Sequence, residues 1–238
     1  MVRRVTAALI ALVLVLPAGL AARQSADDIV SKHLAAKGGL DKLKSISTIR
    51  QTTEMVREGT TMRMVVAAKR PNLARQELTV DGQTIVQIYD GTNAWMINPF
   101  AGSTEPVALT GPEADMTREQ STFDSPLVDY KGRGTTVELV GTEEVGGRRA
   151  HHLKVTSKTG RIQHMYVDTE TFLESRVTTE TPKGTVDQYF SDFRDVDGVK
   201  IPFAIKTSVA AMGAIEIKVL KVEVNPALDD SLFKVKSS

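Results

Sequence analysis

An arginine at the end of an apolar strand pattern is the first candidate for chemistry in this chain. Every second residue before it is apolar, in the order Met62, Met64, Val66 and Ala68. The next position in that phase is Arg70. Because alternate residues of a strand lie on one face, the pattern predicts a guanidinium aimed at an apolar surface. The five N–H donors and the positive charge of this arginine are then placed beside apolar side chains, which offer no hydrogen-bond acceptor and no opposite charge.

Histidines and short motifs are the other places where chemistry could occur, and they indicate none. No G-x-S-x-G, H-E-x-x-H, C-x-x-C or G-x-x-x-x-G-K-[ST] pattern is present. Among four histidines, His151 and His152 are adjacent in a predicted strand, so they face opposite ways and cannot chelate one ion together. We therefore predict no metal site and no cofactor, and we do not expect an enzyme. Catalytic residues that converge from distant strands leave one alternative open, an enzyme acting on a lipid-like substrate.

The apolar residues themselves indicate a binding surface. Methionine is flexible and polarisable, which suits a surface for irregular apolar ligands, although any single methionine is more commonly an ordinary core residue. The in-phase stripe that begins at Met62 therefore carries the interpretation. We predict that one concave surface binds lipid, formed by Met62, Met64, Val66, Ala68, Leu78, Trp95 and Ile97.

The N-terminus has the pattern of a secretory signal peptide. Arg3 and Arg4 precede a short apolar run over residues 7–16, Pro17 ends that run, and small residues follow. The run is too short to span a bilayer, so we expect residues 1–22 to be cleaved and residues 23–238 to form one exported domain. The chain has no cysteine, so it has neither a lipid-modified cysteine nor a disulfide.

The charge of the chain argues against nucleic acid as a partner. The full chain holds 30 Lys and Arg against 29 Asp and Glu, and loss of Arg3 and Arg4 brings the mature net charge to about −1. A chain so close to neutral has no strong field to attract nucleic acid or anionic headgroups. Roughly 216 residues are enough for a single domain with a sizeable core or cavity.

Alternating runs separated by turn signals predict one antiparallel meander. X-Gly pairs such as Asp81-Gly82 separate the runs, and glycine accepts the positive φ that tight hairpins require. Pro202 falls inside one run, which indicates an edge or a bulge there. We predict strands near 48–57, 60–69, 73–80, 83–89, 93–98, 135–145, 148–156, 162–168, 172–181, 185–196, 199–211 and 214–224.

Two helical segments accompany these strands. Ser25 and Asp28 form a capping pair that begins a helix over residues 26–37. Residues 111–130 interrupt the meander and begin with Pro112, which suits a first helical turn. The predicted fold class is therefore α+β, a single open and highly curved antiparallel sheet with both helical segments on its apolar face.

Several short motifs share their order and spacing with one protein family. They are K-R-P-N-L at 69–73, D-G at 90–91, Trp95, N-P-F at 98–100 and F-D-S-P-L-V at 123–128. In this succession the chain resembles the LolA-like periplasmic lipoprotein carriers. Downstream, D-F-R-D-V-D-G-V-K-I-P-F and L-D-D-S-L-F-K-V resemble the broader group of outer-membrane lipoprotein-sorting proteins. The likeness extends over nearly the whole mature chain, and its first half is the more specific part.

This resemblance implies a structure and a role for Arg70. The family fold is an unclosed half β-barrel whose concave apolar face is covered by a helical lid. The arginine of K-R-P-N-L points into the cavity and hydrogen-bonds the lid, so Arg70 is expected to be a latch that an entering lipid must break. The lid is expected to come from the inserted segment, with Met116, Phe123 and Leu127 as its apolar residues.

The resemblance also implies a function. The protein would be a periplasmic monomer, soluble after cleavage, that takes the acyl chains of lipoproteins or other lipids from an inner-membrane donor to an outer-membrane acceptor. Two departures leave the cargo open. Ala74 and Gln76 stand where the carrier has aromatic residues, and the second half is longer. A different class of function stays possible, a stress-sensor or scaffold module that binds a partner protein.

Overall fold

The computed structural model describes residues 24–57, 59–181, 184–209 and 213–235. The expected signal peptide, residues 1–22, lies outside these residues. Within the described ranges, no helix has the length and apolar character needed to cross a bilayer.

The described residues form three α-helices, two short 3₁₀ turns and thirteen strands. The helices are α1 Ala26–Ala36, α2 Leu40–Ser45 and α3 Gly111–Gln120, and the 3₁₀ turns are Pro99–Ala101 and Asp230–Phe233. The strands are β1 Thr48–Arg57, β2 Thr60–Lys69, β3 Leu73–Val80, β4 Gln83–Tyr89, β5 Ala94–Asn98, β6 Ser103–Ala108, β7 Thr136–Val145, β8 Arg148–Thr156, β9 Ile162–Asp168, β10 Glu174–Thr181, β11 Gly184–Val196, β12 Val199–Val209 and β13 Gly213–Val224.

All thirteen strands belong to one antiparallel sheet that is not closed into a barrel. Their order is β6-β5-β4-β3-β2-β1-β13-β12-β11-β10-β9-β8-β7. The first and last strands of the chain meet in the middle, where β1 pairs with β13. We call β1 to β6 the first arm and β7 to β13 the second arm. The predicted α+β class with a single open antiparallel sheet is confirmed.

Tight turns of the expected kind join neighbouring strands. Between β3 and β4, Asp81 and Gly82 both have positive φ, at 48° and 77°. Two positive φ values in succession match the twist of the flanking strands and favour an Asp-Gly sequence. Pro202 also lies where it was predicted, because it pairs with Phe193 of β11 while the ladder from β12 to β13 runs only from Ala204 to Val209.

The structure differs from the sequence prediction in two elements. It adds β6, a short edge strand that contains Pro106 and was not predicted. A proline and mostly exposed side chains are typical of a strand at the edge of a sheet and weaken the alternating signal. The inserted segment is also less helical than expected, since α3 ends at Gln120 and residues 121–130 form turns.

The sheet curls around a cavity. Ala74 of β3 and Val177 of β10 line the same cavity of about 470 Å³. A flat sheet would hold these two strands about 29 Å apart, since they are six steps of about 4.8 Å from each other. Their shared cavity therefore requires strong curvature. We call the face that carries the cavity and the helices concave, and the other face convex.

The concave face of the second arm forms the main core with α1. Ser25 caps this helix as predicted, because its Oγ accepts from the Asp28 N–H at 3.1 Å and the Asp28 carboxylate accepts from the Ser25 N–H at 3.1 Å. The capped helix turns its apolar side toward strands β8 and β9. The buried core residues are Ile29, Val30, Leu34, Leu127, Val128, Leu153, Val155, Met165 and Val167.

The convex face of the first arm carries a smaller core. Leu228 and Phe233 from the C-terminal segment pack on Ala67 of β2. The connection between α1 and α2 packs equally closely on the β11–β12 hairpin, since a Cβ at Gly38 would lie 2.3 Å from the Gly198 carbonyl oxygen. Only glycine allows that approach. The concave face of the first arm is left without a comparable packed cluster among the described residues.

Candidate functional site

The cavity lies between the two arms, beneath α1, α2 and the segment that follows α3. Its walls are predominantly apolar, as expected of a site for a lipid-like ligand. The lining apolar residues are Leu34, Leu43, Ile46, Ile49, Val66, Ala68, Ala74, Phe123, Pro126, Val128, Met165, Val177, Phe190, Val199, Ile201 and Pro202.

The predicted apolar stripe is divided between this cavity and an open surface beside it. Val66 and Ala68 line the cavity. Met62, Met64 and Leu78 share their face, because Met64 pairs with Leu78 and Met62 pairs with Met55 in the two neighbouring strands. These three residues lie further along the strands, outside the cavity, and are half-buried. We call the surface of Met55, Met62, Met64, Leu78 and Ile217 the apolar trough.

Trp95 and Ile97 lie on the opposite face, so the prediction that they share the concave surface with Met62 and Met64 is wrong. Gln87 of β4 donates to the Thr117 hydroxyl of α3 at 2.5 Å, which identifies its face as concave. The partner of Gln87 in β5 is Met96. Because side chains alternate along a strand, Trp95 and Ile97 point to the convex side. Residues 94–97 are all apolar, so the sequence has no alternation from which to choose the face.

Arg70 ties α2 to the turn that follows α3 at the rim of the cavity. Its guanidinium donates to the backbone carbonyls of Ile46 at 2.5 Å and Leu43 at 3.1 Å, at the end of α2. It also donates to both carboxylate oxygens of Asp124, with the Oδ1 contact at 2.6 Å. The guanidinium carbon lies 4.6 Å from the centre of the Phe123 ring. The donors of Arg70 are thus used by helix-terminal carbonyls and by a carboxylate beyond α3.

The segment that covers the concave face of the first arm is held there by polar contacts. We call α3 together with residues 121–126 the lid. Thr117 is the one buried residue that the lid helix contributes, and it accepts from Gln87 on the first arm. Glu119 accepts from Arg161 on the second arm at 2.9 Å. The lid therefore spans both arms, because Gln87 and Arg70 hold it to the first arm and the ion pair of Glu119 holds it to the second.

The three expected lid residues have three different environments. Phe123 lies in the lid, lines the cavity and contacts Arg70. Met116 lies on α3 but is 53 % exposed. Leu127 is fully buried in the core with α1, so it belongs to the fixed part of the fold and its expected place in the lid is wrong.

One buried ion pair lies in the cavity wall beneath α1. Lys37 donates to Glu174 at 2.6 Å, and both side chains are mostly buried. Beside it, His33 Nδ1 lies 2.9 Å from the Phe172 carbonyl oxygen. Burial holds the pKa of His33 below its ordinary value, against the attraction of the Glu174 carboxylate. A neutral imidazole with its proton on Nδ1 satisfies this geometry.

The other histidines lie apart from the cavity lining. His151 pairs with Val167 and His152 with Tyr166, on opposite faces as predicted. On the convex face His152 hydrogen-bonds His164 at 2.7 Å through their ring nitrogens. Across the described ranges, no group of three or more His, Cys, Asp or Glu side chains is arranged to hold a metal ion.

Sequence reasoning missed the acidic partner of Arg70 and the polar groups of the cavity. Asp124 is the only charged residue between positions 121 and 128, so the need of a half-buried guanidinium for a counterion could have identified it. Gln76 and Gln188 line the cavity from β3 and β11. The alternation of residues along each strand predicts the face on which each glutamine lies. Only the folded sheet brings the two arms, and with them the two glutamines, to one cavity.

Comparisons with known proteins agree with this architecture. No protein-family model and no curated protein matches the sequence. Three solved structures are similar to it over most of both chains. A DUF1329 family protein from Desulfovibrio piger has a TM-score of 0.60 at 16 % identity, with 89 % of this chain and 98 % of that chain covered.

The other two similar structures carry more specific descriptions. A LolA superfamily protein from Nitrosomonas europaea has a TM-score of 0.59 at 13 % identity, over 88 % of this chain and 97 % of that chain. A domain from Vibrio parahaemolyticus, described as an outer membrane lipoprotein-sorting protein, has a TM-score of 0.58 at 12 % identity, over 87 % and 94 %. Identities this low establish the fold alone. The chain has the LolA-like fold, an unclosed half-barrel.

Proposed function

We propose that this protein is a periplasmic carrier that binds acyl chains of a lipid or lipoprotein in its cavity and apolar trough and passes them toward the outer membrane. One observation carries the proposal. An apolar cavity opens between the two arms of the sheet, lid residues 120–126 line it, and the lid helix that precedes them is attached to the arms by polar contacts. A cover of that kind can move without exposing a packed core.

The dimensions of the cavity support an acyl chain as the ligand. A water-sized group occupies about 30 Å³, so the cavity of about 470 Å³ takes on the order of sixteen such groups. This is close to one acyl chain of ordinary length. In the proposal the lid moves to admit one chain, and a ligand with several chains has to keep the lid displaced or extend along the trough past Met64 and Leu78.

The binding energetics support a carrier in which a contact within the protein competes with the bound lipid. One chain of sixteen carbons gains about 12 kcal/mol gross at about 0.8 kcal/mol per methylene. Two or three fully buried chains would exceed the practical non-covalent ceiling of about 18–21 kcal/mol. Release therefore requires a contact that re-forms when cargo leaves. In the proposal, that contact is the pairing of Arg70 with Asp124, Leu43 and Ile46.

The remaining parts of the proposal concern place and partners. Residues 1–22 direct export and are removed, and residues 23–238 act as a monomeric carrier between an inner-membrane donor and an outer-membrane acceptor. No step of this function is enzymatic. The similar Vibrio parahaemolyticus domain, described as an outer membrane lipoprotein-sorting protein, supports this assignment by its name and fold.

Extraction of the purified protein tests the proposal. The chain is expressed with its own leader, purified from the periplasm, extracted with organic solvent and measured by mass spectrometry. We expect acyl lipids in stoichiometric amount. The matched control is Ala68→Trp, which fills the cavity from β2, and we expect it to lose most of the lipid. Absence of acyl lipid from the wild-type protein, together with no binding of a fluorescent fatty acid, would overturn the proposal.

A further inference from the structure

The walls of the cavity carry hydrogen-bonding groups that the fold does not use. Gln76 enters from the first arm and Gln188 from the second. Throughout the described part of the chain, neither amide has a hydrogen-bond partner. Each amide can donate two hydrogen bonds and accept others, so the cavity presents unused polar groups on two sides of an apolar space.

Two other glutamines on the concave face of the same sheet do have protein partners. Gln163 also lines the cavity, but its amide donates to the Thr179 hydroxyl at 3.1 Å. Gln87, in the strand next to Gln76, donates to Thr117 of the lid. These amides hold strands and lid together, whereas Gln76 and Gln188 have no such role.

A ligand made only of hydrocarbon would leave both free amides without partners in a space from which water is displaced. That loss costs free energy, because an amide buried without a hydrogen bond is penalised. A ligand with a carbonyl group inside the cavity avoids the penalty. The cavity volume of about 470 Å³ leaves room for a linkage group and part of a chain, while the rest of the chain follows the apolar trough.

We propose that the cavity selects ester-linked acyl groups, whose carbonyl oxygens accept hydrogen bonds from Gln76 and Gln188. This inference rests on the proposed carrier function and names the chemical class of its cargo. Such an ester occurs both in glycerophospholipids and in the diacylglyceryl group of lipoproteins, and the two amides would recognise the part that these molecules share. The departure of Gln76 from the aromatic residue of the carriers that the chain resembles then acquires a role in recognition.

The test compares two ligands that differ in one carbonyl group. One is 1-palmitoylglycerol and the other is 1-O-hexadecylglycerol, its ether analogue with the same chain length and the same free hydroxyls. Both displace a fluorescent fatty acid from the full mature protein. We expect the wild type to prefer the ester about tenfold, which corresponds to about 1.4 kcal/mol.

Variants locate that preference. Gln76→Leu and Gln188→Leu, singly and together, should reduce the preference toward one while they keep affinity for the ether. Gln163→Leu is the matched control, because its amide already has a partner, and it should keep the preference. The single variants also provide the answer if the double variant fails to fold.

The outcomes separate this inference from the proposed function. If the wild type binds neither the fluorescent fatty acid nor the two glyceryl ligands, both fail, and if only the fatty acid binds, the ester contact alone is overturned. If both bind equally well, or if the variants keep the full preference, the carrier function stands and the ester contact is overturned. A further arm uses dipalmitoylphosphatidylglycerol and a dipalmitoylglyceryl-cysteine peptide. If the Gln76→Leu, Gln188→Leu double variant binds one of these two ligands more weakly than the wild type does, the ester contact is supported and that ligand identifies the class of cargo. Unchanged binding of both ligands overturns the ester contact.

Discussion

The helices α1 and α3 lie on the same concave face of one sheet, and they are attached to it in opposite ways. On the second arm, α1 buries Ile29, Val30 and Leu34 in a continuous apolar core. On the first arm, α3 buries only Thr117 and is held by Gln87 and by an ion pair with the far arm.

This difference shows how one sheet face can serve two purposes. Apolar burial makes α1 part of the unit that unfolds cooperatively, since each fully buried aliphatic side chain contributes about 1.5–3 kcal/mol. Single hydrogen bonds contribute only about 0.5–1.5 kcal/mol net, so α3 can leave the sheet at a small fraction of the cost of global unfolding. The second arm supplies stability, and under the proposed function the first arm keeps its apolar residues for a ligand.

The largest expected effect is the loss of a core contact under α1. Ile29→Ala or Leu127→Ala should destabilise the fold by about 2–5 kcal/mol, because both side chains are fully buried. Met116→Ala on α3 is the matched control and should change the free energy of unfolding by less than about 0.5 kcal/mol. Urea unfolding followed by circular dichroism measures all three. An equal loss of unfolding free energy in Leu127→Ala and Met116→Ala would mean that α1 and α3 are attached to the sheet in the same way.

A charge in the apolar trough should weaken ligand binding. Met64→Glu places a carboxylate on the concave face, where burial by an acyl chain would cost several kcal/mol. Val56 lies in the neighbouring strand, points to the convex face and is 51 % exposed, so Val56→Glu is the control. We expect the affinity for a fluorescent fatty acid to fall for Met64→Glu alone. Unchanged affinity would remove Met64 from the ligand surface.

Loss of the arginine contact should act on the lid more than on the fold. Arg70→Leu removes charge-assisted hydrogen bonds to Asp124, each worth about 1.5–3 kcal/mol, which corresponds to one to two decades in the opening equilibrium. The variant should bind a fluorescent fatty acid more readily and transfer it to acceptor vesicles less well. Asp124→Asn should shift both measurements in the same direction. Wild-type affinity together with wild-type transfer would show that Arg70 is not a latch.

The smallest expected effect is a pH dependence confined to α1. Burial lowers the pKa of His33, so below its ordinary value of about 6.5 the unfolded chain binds a proton that the folded chain does not. Stability should therefore fall as the pH decreases through that value. In His33→Asn, whose amide can still donate to the Phe172 carbonyl, this part of the pH dependence should be absent. Urea midpoints between pH 5 and pH 8 measure it, and parallel curves for the two proteins would contradict the assignment.

The parts of the fold and of the candidate site that could be predicted from the sequence are those that depend on the pattern of neighbouring residues along the chain. The open antiparallel sheet, its turns and the capping of α1 follow from period two, X-Gly pairs and the Ser25–Asp28 pair. The face of Trp95 could not be predicted, because residues 94–97 are uniformly apolar and the register with β4 decides it. The place of Leu127 was equally out of reach, since lid and core residues have the same apolar character and only packing against α1 separates them.

The central claim is that the lid must move for an acyl chain to enter, and restraining the lid tests it most directly. The chain has no cysteine, so Gln87→Cys with Thr117→Cys can be joined selectively by a short bis-maleimide across their contact. Asp27→Cys with Lys131→Cys is the control pair, because it joins exposed contacting residues at α1. We predict that the lid cross-link slows or abolishes uptake of a fluorescent fatty acid while the control cross-link leaves uptake unchanged. Uptake by the lid-linked protein at the rate and affinity of the control would contradict the account.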